Sequence, residues 1–135
     1  MFLRIIKSDK KEIAVLPLIY DLVLWYAPKI NLYPKKYKYT LGDRITNTML
    51  TILESVIEAK YSSRKKSHFL RRANSDLEKL RFLVRLSKDL QCIDIKTFEY
   101  TAKSIDNIGK MVGGWEKYSL IVSENEKEEH SGQTI

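Results

Sequence analysis

The sequence predicts an all-α protein, an antiparallel up-down four-helix bundle, from two observations. The 135 residues include five glycines and three prolines, so the chain has few places to turn and a many-stranded β architecture is disfavoured. Apolar residues recur at helical spacing in four segments separated by short links, and short links favour antiparallel neighbours. We therefore expect a bundle over residues 16–120, an N-terminal extension over residues 1–15 and an acidic, disordered tail over residues 121–135.

The first helix is predicted to begin at Pro17, because proline lacks only an N–H group that the first turn of a helix does not use. The first twelve residues are mixed in character and are predicted to be loosely ordered. The helix is apolar nearly all round, which indicates burial on more than one side. Two explanations fit this pattern equally. The helix is central and wrapped by the other three, or it forms an interface with another copy of the chain. The candidate interface residues are Leu18, Leu22, Leu24 and Trp25.

Lysines and tyrosines alternate in the link that follows, over residues 32–40. Basic residues interleaved with aromatic residues can hold a nucleic-acid strand by phosphate contacts and stacking, and Lys35 and Lys36 are the candidates for this role. The pattern favours the alternative, a loop whose tyrosines pack on the bundle while its lysines are solvated.

The second helix is predicted to open with a capping box, in which Thr40 and Asp43 satisfy each other's backbone N–H groups, and to end near Tyr61. Glu54 and Glu58 lie one turn apart on it. No further carboxylate or histidine joins them at ligand spacing, so a solvated face is favoured over a metal pair.

The third helix is predicted to end near Gln91 and to carry a basic face opposite its apolar stripe. Arg81, Arg85 and Lys88 share one stripe of that face, where acidic residues are sparse. The pattern favours a polyanionic partner, and pairing with glutamates of a neighbouring helix is the alternative. The candidate binding residues of this face and of the turn before it are Arg64, Lys65, Lys66, Arg71, Arg72, Lys79, Arg81, Arg85 and Lys88.

The fourth helix is predicted to begin after Asp94, a favourable N-cap, and to end near Tyr118. Gly109 and Gly113 are four residues apart on one face, which would allow another backbone to come close. Gly114 is a candidate for loosening or ending the helix.

Charge is distributed unevenly along the chain. The net charge is +7, but residues 122–135 hold four glutamates and one lysine, so residues 1–121 carry 23 basic and 13 acidic residues, a net +10. A basic body indicates a polyanionic partner, of which nucleic acid is the usual one. A charge that serves solubility alone is the alternative.

Residues suited to enzymatic chemistry are few. The single cysteine, Cys92, excludes an internal disulfide framework and a cysteine-rich zinc site, and His130 lies in the acidic tail, which leaves His68 alone. We therefore predict no catalytic residue, no metal site and no cofactor. The apolar run over residues 13–28 is interrupted by Asp21 and is too short to span a membrane, so we predict a cytoplasmic protein without a membrane partner.

Five segments of the sequence resemble the accessory variability determinant (Avd) family of diversity-generating retroelements. The elements LGDR at 41–44 and IGK..GGW at 108–115 are the most specific. The sequence is also similar to a broader group, the four-helix-bundle proteins encoded in ribosomal-RNA intervening sequences. The five segments are YDLVLWYAPKI (20–30), YPKKYKYTLGDRI (33–45), ESVIEAKY (54–61), LEKLRFLVRLSKDL (77–90) and FEYTAKSIDNIGKMVGGW (98–115).

The resemblance implies a noncatalytic four-helix bundle that assembles as a pentameric barrel. It also implies binding of RNA and DNA, with template-repeat RNA among them, and of the retroelement reverse transcriptase, whose error-prone complementary DNA replaces a variable region of a target gene. The arginines of the family motif correspond to Arg81 and Arg85 here. The broader group implies the alternative, an oligomeric RNA-associated bundle without a reverse-transcriptase partner. Residues 1–15 and the acidic tail have no counterpart in the family pattern.

Overall fold

The protein is a bundle of four long helices. The computed structural model describes the backbone of residues 2–133 and the side chains of residues 14–129, and the described part contains no strand. A short helix and a π-helical segment connect the first two long helices. The elements are α1 (Phe2–Ile30), α2 (Lys35–Tyr37), the π-helical segment (Lys38–Gly42), α3 (Asp43–Tyr61), α4 (Lys66–Asp89) and α5 (Ile95–Gln133).

Neighbouring long helices run antiparallel, as predicted. Near the end of α1, Trp25 lies with its ring centroid 4.2 Å from that of Tyr100, near the start of α5. Along α4 and α5, later residues of one helix meet earlier residues of the other: Arg71 pairs with Glu116 at 3.4 Å, and Arg81 pairs with Asp106 at 2.8 Å.

One apolar stripe from each long helix forms the core, which confirms the helical periodicity seen in the sequence. Removing each large aliphatic side chain of these stripes from water contributes about 1.5–3 kcal/mol, so the stripes hold the bundle together. The fully buried core residues include Val15 and Tyr26 of α1, Ile45 and Val56 of α3, Leu70, Leu80 and Val84 of α4, and Ile105, Val112 and Trp115 of α5.

Helix α1 begins well before Pro17, contrary to the prediction of a loosely ordered start. The proline removes one hydrogen bond, to the carbonyl of Ile13, but its ring fixes a φ angle that a helix accepts. Val15 is fully buried in the core and Leu16 packs against it, so contacts hold the helix on the N-terminal side of the proline.

Helix α5 continues to Gln133, so the prediction of a disordered tail after residue 120 is also wrong. Glycine and proline are absent between Trp115 and Ser131, and the intervening residues include leucine, lysine and glutamate, which are good helix formers. Gly114 does not end the helix, and Gly113 faces the Asn74 side chain of α4, not another backbone.

The predicted capping box does not form, because the chain is already helical at Thr40. The Thr40 hydroxyl donates to the carbonyl of Lys36 at 3.4 Å, within the turn that precedes α3. Gly42 is needed at this point because a Cβ there would lie 2.7 Å from Cγ2 of Ile30, closer than two carbons can approach. The close approach joins the end of α1 to the start of α3.

A buried chain of hydroxyl groups anchors the link to the bundle. The hydroxyls of Tyr26 and Tyr33 lie 2.5 Å apart, and Tyr33 donates to Ser87 Oγ at 2.8 Å. Ser87 in turn donates to the carbonyl of Leu83 at 3.0 Å. Since Tyr33 uses its proton on Ser87, the proton between the two tyrosines comes from Tyr26. Tyr33 therefore packs on the bundle, as the favoured interpretation of the link predicted.

The connection between α4 and α5 is closed by a pair of caps. Gln91 adopts a left-handed conformation with φ 63°, and the N–H of Cys92 donates to the carbonyl of Ser87 at 2.8 Å, which ends α4 in a Schellman motif. Asp94 accepts from the N–H of Thr97 at 2.8 Å, so its predicted N-cap role is confirmed. The hydrogen bonds from Thr97 hold the pKa of Asp94 below its usual value.

Candidate nucleic-acid interface

The predicted basic stripe of α4 lies on the surface beside α5. The opposite side of the helix is buried through Leu77, Leu80 and Val84. The stripe forms one wall of a groove between α4 and α5, which combines charged and aromatic side chains. The groove residues are Glu78, Arg81, Phe82, Arg85, Lys88, Phe98, Ala102 and Asp106.

Arg81 and Arg85 differ sharply in their surroundings. Arg81 forms ion pairs with Glu78, one turn earlier, and with Asp106 of α5, so it matches the alternative interpretation of the basic face. Arg85 is exposed and has no carboxylate partner among the described residues. Of these two arginines, only Arg85 therefore presents a guanidinium without a carboxylate partner among the described residues.

Other cations of α4 also have partners within the chain. Lys79 lies 3.5 Å from Asp76, and Lys88 lies 3.6 Å from Asp89. The ammonium of Lys88 also sits 4.5 Å from the ring centroid of Phe98. The middle of the α4 face is consequently nearer to neutral than the sequence suggested, because carboxylates of α4 and α5 lie among its cations.

Four cations without a carboxylate partner among the described residues lie at one end of the bundle, in what we term the link cluster: Lys35, Lys36, Lys38 and Arg44. Lys36 Nζ lies 5.5 Å from the ring centroid of Tyr37, and Lys38 Nζ lies 5.6 Å from that of Tyr39. Tyr39 is 65% exposed, so one tyrosine of the link remains available for stacking although Tyr33 is buried.

A second set of cations, the turn cluster, lies at the opposite end: Arg64, Lys65, Lys66 and Arg72. Arg64, Lys65 and Arg72 are exposed and have no ion pair within the described residues, whereas Lys66 Nζ sits 5.5 Å from the ring centroid of the buried Trp115. Helix α3, with 19 residues, separates the two clusters by about 28 Å.

Sequence reasoning missed Arg44 and two exposed apolar residues of α4, namely Phe82, which lines the α4–α5 groove, and Leu86. Phe82 is 65% exposed and Leu86 is 45% exposed, one turn apart and beside Arg85. Their positions off the core stripe of α4 are the signal that would have revealed them.

The four candidate interface residues of α1 lie in three different environments. Leu18 and Leu24 are exposed, at 41% and 63%, and Tyr20, one turn before Leu24, is 58% exposed. Leu22 is only 5% exposed and belongs to the core of its own protomer. Trp25 is half-buried between Tyr100 and the ammonium of Lys29, which lies 3.8 Å from its ring centroid.

The described side chains that could act in catalysis or bind a metal do not cluster. Among the described residues, no three His, Cys, Asp or Glu side chains come together as a metal site. Burial raises the pKa of the Cys92 thiol. His68 is exposed and packs edge-on against Phe69. Within the described part of the chain, no helix combines the length and the apolar character needed to cross a membrane.

The segments that build the bundle also carry its relationship to known proteins. A family model described as bAvd-like matches residues 13–119. The chain belongs to the bAvd-like family. The match includes both family-specific elements of the sequence and confirms the predicted resemblance. A search of curated proteins gives no significant match. The acidic segment of this bAvd-like protein, residues 124–129, lies beyond the matched region.

Proposed function

We propose that this bAvd-like protein is a noncatalytic accessory factor of a diversity-generating retroelement, located in the cytoplasm. It binds nucleic acid and the retroelement reverse transcriptase, and it supports mutagenic synthesis of complementary DNA. Membership of the bAvd-like family is the observation that carries this proposal. The cations of the link cluster, which have no carboxylate partner among the described residues, support the nucleic-acid part.

Nucleic-acid binding is electrostatic and largely independent of sequence. The link cluster offers Lys35, Lys36, Lys38 and Arg44 beside the exposed Tyr39, an arrangement suited to backbone phosphates with one stacking base. Each contacted phosphate of a single strand lowers the logarithm of the binding constant by about 0.7 per logarithmic unit of salt. Titrations of RNA and single-stranded DNA at three salt concentrations test this, and flat salt dependence would exclude it.

The reverse transcriptase binds the α4–α5 groove, in this proposal. Arg85, which has no carboxylate partner among the described residues, lies beside the exposed side chains of Phe82 and Leu86. An arginine next to exposed apolar side chains is typical of protein interfaces. Arg85→Ala should weaken reverse-transcriptase binding at least about tenfold, equivalent to about 1.4 kcal/mol, without lowering the melting temperature.

Arg81 provides the matched comparison. Arg81→Ala leaves Asp106 and Glu78 without their partner, so any loss of binding should come with lower thermal stability. Binding and melting curves measured on both variants decide between the roles. Unchanged binding by folded Arg85→Ala protein would exclude this contact. A failure of the wild-type protein to bind any reverse transcriptase encoded beside it would favour an RNA-associated bundle without that partner.

Self-association proceeds through the exposed apolar face of α1, on which Tyr20 and Leu24 lie one turn apart. The family resemblance makes a pentameric barrel the proposed assembly. Sedimentation should give several times the protomer mass of 15.8 kDa. Leu24→Glu should lower that mass, because burying each leucine contributes about 1.5–3 kcal/mol and a carboxylate cannot be buried unpaired. A monomeric wild-type protein would exclude the proposed assembly.

A further inference from the structure

The acidic end of α5 and the turn cluster lie at the same end of the bundle. Gly113 and Glu116 of α5 lie beside Asn74 and Arg71 of α4, and Trp115 lies beside Lys66 at the start of α4. Because α5 runs antiparallel to α4, each residue after Glu116 leads towards the turn that joins α3 to α4.

Helix geometry fixes where the glutamates fall along this axis. From Arg71 back to the start of α4 at Lys66 is about 7.5 Å, and from Glu116 forward to Glu124 is about 12 Å. Glu124 therefore lies about 4–5 Å beyond the start of α4, level with the turn, and Glu128 lies about 6 Å further. Glu124 therefore lies within the screening length of about 8–10 Å at physiological salt from the start of α4, and Glu128 lies at the limit of that length.

The acidic segment is a helical continuation of the bundle, because α5 is unbroken from Ile95 to Gln133. Residues 124–129 hold four glutamates and one lysine, all exposed except for the half-buried Asn125 between them. Arg64, Lys65 and Lys66 of the turn cluster lie at the same level and Arg72 lies about 9 Å further along α4, whereas the link cluster is a bundle length away. A negative segment held at this place lowers the positive potential of one end only.

We propose that the acidic segment at residues 124–129 screens the turn cluster from nucleic acid and thereby makes the link cluster the binding end of the protomer. This inference rests on the proposed nucleic-acid binding and adds its regulation. The turn cluster is then a second polyanion surface, which becomes available when the glutamates are neutralised or when a basic partner binds them.

A cycle of variants of the full-length chain tests the proposal, with a labelled oligothymidylate as the probe. The tail variant carries Glu124→Gln, Glu126→Gln, Glu128→Gln and Glu129→Gln, which keep helix propensity and shape. The turn variant carries Arg64→Gln, Lys65→Gln and Arg72→Gln, and the matched link variant carries Lys35→Gln, Lys36→Gln and Lys38→Gln. Each is measured in the native-tail and the glutamine-tail chain.

The tail variant should bind about tenfold more tightly than the wild type at about 50 mM salt, and the gain should vanish at about 0.5 M. The turn variant should change affinity by less than about twofold with the native tail, yet remove most of the gain with the glutamine tail. The link variant should weaken binding by the same factor in both backgrounds.

Three results would overturn the proposal. One is equal affinity of the tail variant and the wild type. Another is a gain that persists in the turn variant, since it would report net charge alone. The third is a lower melting temperature of the tail variant with unchanged binding, which would give the glutamates a structural role. If the wild type and every variant fail to bind even at low salt, the proposed nucleic-acid binding itself is wrong, which is a separate outcome.

Discussion

Three buried hydroxyl groups, of Tyr26, Tyr33 and Ser87, form a hydrogen-bonded chain. Removing the middle hydroxyl, that of Tyr33, should lower the free energy of unfolding more than removing that of Tyr26. Tyr33→Phe deletes both hydrogen bonds of that hydroxyl and leaves the buried Tyr26 O–H without an acceptor. A buried donor left unpaired costs about 1–3 kcal/mol. Tyr26→Phe removes only the first donor, and Tyr33 keeps its bond to Ser87. We therefore expect Tyr26→Phe to lower the free energy of unfolding by about 0.5–1.5 kcal/mol.

Urea unfolding followed by circular dichroism measures the difference. For a slope of about 2 kcal/mol per molar urea, a loss of about 2 kcal/mol moves the midpoint by about 1 M. All samples need the same protein concentration, because assembly would make stability concentration-dependent. Tyr39→Phe, at an exposed position, is the matched control and should shift the midpoint little. If Tyr33→Phe costs no more than Tyr26→Phe, the order of donation deduced from the structure is wrong.

Three further predictions concern pH and backbone fit. Burial raises the pKa of Tyr33, and burial together with the hydrogen bond to Tyr33 raises the pKa of Tyr26. Above pH 10.0 the unfolded chain therefore releases protons that the folded protein retains. Stability should fall there by up to about 1.4 kcal/mol per pH unit for each tyrosine, and Tyr26→Phe should reduce this dependence in urea titrations from pH 9 to 11. Gly42→Ala should destabilise by about 1–3 kcal/mol through its clash with Ile30, whereas Gly114→Ala, with open space around the added Cβ, should stabilise by up to about 1 kcal/mol. Gln91→Gly should raise the melting temperature, because glycine relieves about 1 kcal/mol of left-handed strain, and an unchanged melting temperature would contradict this.

The helices and their core were predictable because burial acts on every turn of a long helix. The stripe of α3 from Ile45 to Val56 is buried where the 3.6-residue period places it, and so is that of α4 from Leu70 to Val84. Asp94 was predictable for a similar reason, since an N-cap depends on residues within one turn of it.

The helix boundaries failed where contacts distant in sequence decide the local structure. Thr40 and Asp43 have the pattern of a capping box, yet the contact between Gly42 and Ile30 and the anchoring of Tyr33 continue the helix through this point. Pro17 predicts a helix start from the local sequence, but the core contacts of Val15 extend the helix on the N-terminal side of this proline. Neither contact follows from the residues near the boundary.

The candidate site shows why a stripe of charge in a sequence overstates the charge of a surface. Arg81 and Arg85 are equivalent by spacing, but Asp106, on another helix, neutralises only the first. The same comparison leaves cations without a carboxylate partner among the described residues at both ends of the bundle and along α5, the latter being Lys96, Lys103, Lys110 and Lys117. The free positive charge of the α4 face is therefore set by which carboxylates of α4 and α5 lie against it, more than by the number of its arginines and lysines.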